Sequence, residues 1–582
     1  MLQRHYYAAL CFTISILAVL PMRESQATTY RAVALSGQIA PGTAISIGEF
    51  DIFGSFSNVF GPPVLNNAGK TAFIAGFNRL GNIDSGIWSE GGGDLRLIAG
   101  EGTAAPGTSA SMNYSSFTSR LDRIVLNDAG QTAFSATIAG DGRNGSGIWS
   151  EGGGSLHLVA LEGSAAPGTS SDASFDQLSF TVPAFNNAGL VAFAVGLVGV
   201  DVNTENDSGI WSEGGGELRL IAREGSDAPG TGITFSSFGI HLPVLNDAGH
   251  SAFRGTVEGV GVGNGNWDRI WSESVSGLRL IAQAGVAAPG VSDGAILLAF
   301  EEVRINSTGQ TAFRGILSRA SVPTVADGGV IIEVGGSVDS GIWLDDHGSQ
   351  RMIARKGTAA PGTESGVYFD FLGHPILNTT GQTAFRARLY GTGVNQTNEG
   401  GIWSDGDGGL RLVARDGDEA PGTGSGVVFR TLGFVLPTMN ADGQTAFYAY
   451  LDGEGVDSTN DFGIWAEGSL GLELVARTGD LFEVTPGDLR VISGLNFVTD
   501  TGNDDGRRSG FNDRGQLAFF ASFTDGSSGI FVADTRVVPE PASAALAVMA
   551  VCMLLLWRLR RVLTPHSQSA SLTVYQAACR GC

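Results

Sequence analysis

Pro63-Val-Leu-Asn66-Asn-Ala-Gly69-Lys-Thr-Ala-Phe73 is a pair of apolar stretches joined by a tight turn. Asn bonds its own backbone two residues on and Gly supplies a positive φ, so the segment reads as a β-hairpin. The same NxxGxxAF pattern begins at Asn66, Asn127, Asn186, Asn246, Asn306, Asn378, Asn440 and Asn512. Gly-Ile-Trp keeps step with it, ending at Trp88, Trp149, Trp211, Trp343, Trp403 and Trp465, with Arg-Ile-Trp271 and Gly-Ile-Phe531 as variants. Ala-Pro-Gly does likewise at Pro41, Pro106, Pro167, Pro229, Pro289, Pro361 and Pro421, with Thr-Pro-Gly at Pro486. Each element occurs eight times at a pitch of about sixty residues.

Every unit carries four strands. After the Asn hairpin come Gly86-Ile-Trp-Ser-Glu90, a glycine turn and Asp94-Leu-Arg-Leu-Ile98, all of β-rich composition. Four strands per unit, repeated eight times without helical periodicity, predict an all-β, eight-bladed β-propeller; solenoid repeats run shorter. The phase of the ends supports a closed ring. Tyr30 precedes Pro41 by eleven residues, as Leu95 precedes Pro106, so the body opens on the last strand of a unit. The eighth unit stops at Val537 without that strand. The N-terminal strand is therefore predicted to complete the last blade, which removes the exposed sheet edges.

The repeats carry a resemblance: the chain is similar to the bacterial tandem-repeat proteins named for NxxGxxAF, over nearly all of residues 28–535. In those proteins a variable sorting anchor follows the repeats, and the resemblance implies no activity. The tail has its own likeness. Val538-Pro539-Glu540-Pro541 is followed by an apolar run from Ala542 to Trp557 and by Arg558, Arg560 and Arg561. This resembles the PEP-CTERM sorting signal of Gram-negative bacteria, which implies transient inner-membrane anchoring, cutting by an exosortase and transfer towards the surface. A plain single-span anchor would show the same cytoplasmic arginines but has no need of Pro-Glu-Pro. The family's signal ends just after the arginines, whereas here 21 residues run on to Cys582.

At the other end, Arg4, the apolar run Ala8 to Met22 and Ser25-Gln26-Ala27 read as a secretory signal peptide cut after Ala27. The apolar run is shorter than the roughly 20 residues a membrane span needs. The predicted organisation is a signal peptide at 1–27, the propeller at 28–537, the sorting signal at 538–561 with its transmembrane segment at 542–557, and an unassigned tail at 562–582.

The chain has 582 residues, 87 of them glycine, with 42% hydrophobic residues and a net charge of −23. Residues 28–541 alone hold 29 basic and 57 acidic side chains, a charge of −28, which repels phosphate backbones and argues against nucleic acid. Cys11, Cys552, Cys579 and Cys582 all lie outside the repeats, so the body is predicted to hold together by packing alone.

Loop lengths separate two faces. Asn to Phe is seven residues in every unit, and Trp to Pro is eighteen in six of seven. Phe to Trp varies from 15 to 30, with a long insert at Arg319 to Gly336, and Pro to Asn varies from 17 to 26, longest in the first and eighth units. Strands alternate in direction, so the variable connections share one face, and that face is the predicted binding surface.

Chemistry is sparse. Arg follows Trp by eight residues in five units (Arg96, Arg219, Arg279, Arg351 and Arg411), which predicts a repeated cross-strand cation–π pair rather than a ligand surface. Acidic residues stand two before the Gly-Ile-Trp glycine at Asp84, Asp207, Asp339, Glu399 and Asp461; without a dedicated calcium-loop spacing they read as polar strand-entry turns. Asp504 and Asp505, in Asn503-Asp-Asp-Gly506, are the best calcium candidates, and no other cofactor is implied. His157, His241, His250, His347 and His374 lack metal-ligand spacing, and neither GxSxG nor a cysteine nucleophile is present. No catalytic residue is predicted. The expectation is an exported surface protein, served by the secretion machinery and an exosortase, that binds a glycan, matrix polymer or protein without catalysis. The alternatives are a secreted polysaccharide hydrolase or lyase and a purely architectural envelope protein.

Overall fold

The computed structural model describes residues 29–42, 52–53, 60–79, 82–117, 123–169, 172–179, 181–238, 242–263, 265–318, 339–469 and 471–535. The signal peptide, the sorting signal and its span, the tail and the insert at 319–336 lie outside the described residues. Among those described, no helix is long and apolar enough to cross a membrane. Strands and two short 3-10 turns make up the regular structure, and the strands form eight antiparallel sheets, one for each repeat. Blades 1 to 7 span 52–100, 113–161, 174–223, 227–283, 296–355, 367–415 and 428–477; blade 8 spans 481–534 and takes residues 29–35 as its fifth strand. The fold is an eight-bladed β-propeller.

Closure is double. On the outer edge, Thr29–Leu35 pairs antiparallel with Ser528–Asp534, placing Tyr30 opposite Ala533. At the hub, Asn66 Nδ2 donates to the Asn127 carbonyl at 3.0 Å, and the relay runs through all eight repeat asparagines until Asn512 donates to Asn66 at 2.9 Å. Each Asn Oδ1 also accepts the backbone N–H four residues on, as Leu190 N to Asn186 at 2.9 Å, while Gly189, at φ 78°, turns its N–H back to the Asn186 carbonyl. The hairpin reading thus holds, and the same side chain also links blades. All eight asparagines are buried, so each amide bond replaces water that cannot reach it.

Aromatic pairs fill the space between blades. In blade 3, Phe193 stacks on Trp211 at 6.3 Å and Phe175 meets the same indole edge-on at 5.0 Å. The seven repeat tryptophans are fully buried, and each indole N–H reaches back to the Pro carbonyl of the preceding Ala-Pro-Gly, from Trp88 to Pro41 at 3.0 Å through Trp465 to Pro421 at 3.0 Å. Blade 8 fills the position with Phe531.

The arginines correct the expected cation–π pairing. A bulge between Ile87 and Trp88 shifts the register by one, setting Trp88 opposite Leu97 and Ser89 opposite Arg96, and it recurs in blades 1 to 7. One residue of slip moves a side chain to the other face of its sheet, away from the indole. Arg96 instead meets Glu151 of blade 2 at 2.6 Å, and Arg219, Arg279, Arg351 and Arg411 likewise reach Glu273, Asp345, Asp405 and Glu467 of their next blades. Arg31 of the closing strand does the same to Glu90 at 2.6 Å, confirming the phase read from the ends. The guanidinium ends are partly exposed, so each pair contributes at most about 1 kcal/mol.

Both constant connections lie on one face. A Cβ at Gly91, in the turn between strands three and four of blade 1, would run into the Gly130 carbonyl in the Asn hairpin of blade 2. The variable connections therefore emerge on the opposite face.

Candidate functional site

The innermost strands present an unpaired edge to the channel, and unpaired backbone N–H groups there need partners. The long connection of blade 8 supplies them. Residues 499–510 cross the hub, where the N–H groups of Leu65, Phe185, Leu245 and Met439 donate to the carbonyls of Ser509, Gly506, Asp505 and Thr501 at 2.7 to 3.0 Å. Each donor stands one residue before a repeat Asn. The loop therefore plugs the channel at the level of the Asn ring.

A buried ion cluster fastens the plug. Arg304 of blade 5, 1% exposed, bonds Glu302 at 2.7 Å and Asp500 at 2.8 Å and lies 3.8 Å from Asp505. Burial works to strip its proton, but Asp500, Glu302 and Asp505 outweigh burial and raise its pKa. Arg507 adds contacts to Glu302, Asp500 and Asp505. Glu302 is pulled well below the usual carboxylate range, because Arg304 and Arg507 overcome the upward push of burial.

The two calcium candidates sit in this plug. Asp505 faces Arg304 and Arg507, while Asp504 accepts the Ser307 N–H at 2.5 Å and is pushed by burial up to about 7. Arg304 and Arg507 stand 3.8 and 3.6 Å from Asp505 Oδ2, which is buried without a hydrogen-bond partner. Among the described residues, no group of three or more His, Cys, Asp or Glu side chains is placed to hold a metal.

On the variable-loop side of the plug lies a cavity of about 430 Å³. Its apolar wall includes Pro62, Pro183 and Pro243, and its polar wall includes Glu302, Asp500 and Arg507. Beside Glu302, Glu301 pairs with Arg314 and bonds His374 Nδ1 at 3.0 Å. Burial would raise Glu301, but the His374 hydrogen bond and the Arg314 charge hold it at about 2. The cavity therefore sets the Glu302 carboxylate and the Arg507 guanidinium against an apolar wall, with His374 close enough to Glu302 to help hold it ionised.

The residues singled out from the repeats are scaffold: the asparagines lie at the hub and the tryptophans between blades. Of the expected strand-entry carboxylates, Asp339 is held by Arg355 at 2.7 Å. The plug and the charged mouth were missed. Two signals pointed to them: the eighth unit has the longest Pro-to-Asn stretch, and the residue after Ala-Phe is Arg at Arg254, Arg314 and Arg386 where other units carry Ile74, Ser135, Ala194, Tyr448 or Phe520.

Fold and site together define an eight-bladed propeller with a plugged channel and an open vestibule. The chain belongs to the family of unknown function DUF7453, which matches residues 18–334 and again 331–545. No curated protein matches the chain. Among solved structures it is similar to polysaccharide lyase Uly1, at 10% identity over 76% of this chain and 98% of that one, with a TM-score of 0.32. An oligogalacturonate lyase in complex with manganese matches at 12% identity over 70% of this chain and 86% of its own, with a TM-score of 0.28. Trypanosoma rangeli sialidase matches at 11% identity over 84% of this chain and 60% of its own, with a TM-score of 0.24. Likeness at this level assigns neither substrate nor reaction to this chain.

Proposed function

We propose that the protein is an exported, non-enzymatic binding module whose variable-loop face takes up a glycan, matrix polymer or protein. One observation carries this reading: the plug closes the hub at the Asn ring and leaves a cavity of about 430 Å³ on the side of the variable loops. That volume falls in the range of small-ligand sites. Delivery would follow cutting after Ala27 and exosortase processing at Pro539-Glu540-Pro541. Replacing those three residues with alanine should retain the protein in the inner membrane; unaltered release would remove the sorting assignment. A glycan and matrix-polymer screen with the full-length chain should find a ligand that Pro183→Trp, which fills the cavity, excludes without lowering the thermal midpoint. Binding unaffected by that substitution would move the site elsewhere.

The His374–Glu301 pair favours a second reading, a polysaccharide hydrolase or lyase, since an imidazole oriented by a carboxylate is suited to proton transfer. New reducing or unsaturated ends, formed by the wild type and lost in His374→Asn, would replace the binding reading.

A further inference from the structure

Blades 5 and 6 crowd three cations around one aromatic ring. The guanidinium carbons of Arg314, Arg386 and Arg388 lie 4.8, 5.3 and 5.4 Å from the centre of Phe371, and Arg388 is also 5.9 Å from Phe434 of blade 7. Their counter-charge is small. Arg314 pairs with Glu301, which is shared with His374. Arg386 donates to the Gly433 carbonyl and leaves its Nε buried without a partner. The Arg388 side chain has no hydrogen bond or ion pair among the described residues, so its donor fork is open. Burial, with the neighbouring Arg314 and Arg388 charges, lowers the Arg386 pKa, the expected result of packing like charges together.

This crowding needs a reason in a chain whose net charge is −23. Stacking on Phe371 would be satisfied by one guanidinium, yet three converge. Beside them Phe434 is 65% exposed, on a 3-10 turn at Leu432–Phe434 that follows Thr431 at φ 70°. A β-branched residue seldom adopts that conformation, and such strain persists where the surrounding structure imposes it. Arg388 stands three residues before Gly391, at the variable-loop end of its strand, so the open fork and the exposed ring share that face.

We propose that Arg388, Arg386 and Phe434 form a subsite for the carboxylated sugar unit of an acidic polysaccharide. The planar fork of Arg388 takes the planar carboxylate through two parallel hydrogen bonds, Arg386 adds attraction, and Phe434 stacks against the C–H face of the sugar ring. The anion adds negative charge to that of Glu301 and Asp500. This rests on the variable face being the ligand surface, and it adds the class of ligand.

Affinity electrophoresis of the full-length protein against polygalacturonate, dextran and dextran sulfate tests it. Polygalacturonate should retard the protein, dextran should not, and retardation should weaken as salt is raised. Arg388→Gln and Phe434→Ala should each weaken binding by roughly tenfold, the order expected for a lost charge-assisted pair or a ring stack, with unchanged thermal midpoints. Equal binding by both variants, or a preference for dextran sulfate, overturns the carboxylate subsite. Binding of a neutral polymer that both variants retain also overturns it but leaves the variable-face reading standing. If neither a polymer nor a protein binds that face, both fall.

Discussion

Asn186→Asp probes the hub. Asn186 Nδ2 donates to the Asn246 carbonyl at 2.8 Å while its Oδ1 accepts Leu190 N–H at 2.9 Å, and the residue is 2% exposed. An ionised carboxylate keeps the second bond, loses the first and sets an oxygen against a carbonyl. The carbonyl is not orphaned, because Gly249 N–H still donates to it at 2.9 Å. The deficit is therefore one interblade hydrogen bond plus a buried charge without a partner, about 2–4 kcal/mol at neutral pH. A protonated acid can donate again, so the introduced carboxyl has a raised folded-state pKa. Its stability contribution is present below the unfolded pKa and lost as pH rises through the folded value. Urea midpoints followed by tryptophan fluorescence, variant against wild type at each pH, should show a large deficit at pH 8 that shrinks at pH 4. Asn186→Ala, which loses both bonds, should show a deficit at both. An aspartate variant as stable as wild type at pH 8, or a deficit identical at both pH values, would refute the relay.

Other outcomes follow from neighbouring features. Deleting residues 28–36 should lower the thermal midpoint and expose Ser528–Asp534 as a sticky edge visible by light scattering; an unchanged midpoint would contradict closure. Trp211→Phe should cost about 1–3 kcal/mol through the lost Pro167 bond and a small void, yet still fold, since blade 8 already uses Phe531. Asp504, pushed up to about 7 by burial, favours its protonated form in the folded chain, so its contribution to stability is lost as pH rises from about 4 through 7. Asp504→Asn should therefore stabilise at pH 8 and change little at pH 4; equal effects at both would disprove that titration.

Periodicity carries what recurs with the backbone. Blade count, hairpins, the phase of Tyr30 and the separation of faces were legible because each is a spacing repeated eight times. Asn66 shows the limit: its local turn is readable, but its bond to Asn127, 61 residues away, follows only from curvature into a ring. The misplaced arginines show another, since the bulge before Trp88 adds one residue that no composition reveals. The long eighth stretch and the Arg after Ala-Phe marked positions, but what the plug and the cations around Phe371 assemble was not legible, for a further reason. Each occurs once, assembled from residues far apart in sequence such as Arg304 and Asp500, so no repeat announces it.

The double closure sets an order of events for any chain emerging N-terminus first. Thr29–Leu35 appears at the outset but has no partner until Ser528–Asp534 arrives, and the channel stays open until residues 499–510 are made. Blade 8 is thus a lock that supplies edge, hub and plug together. A product truncated before it would lack all three, so the finished state is reserved for chains that have been synthesised to the end of the propeller.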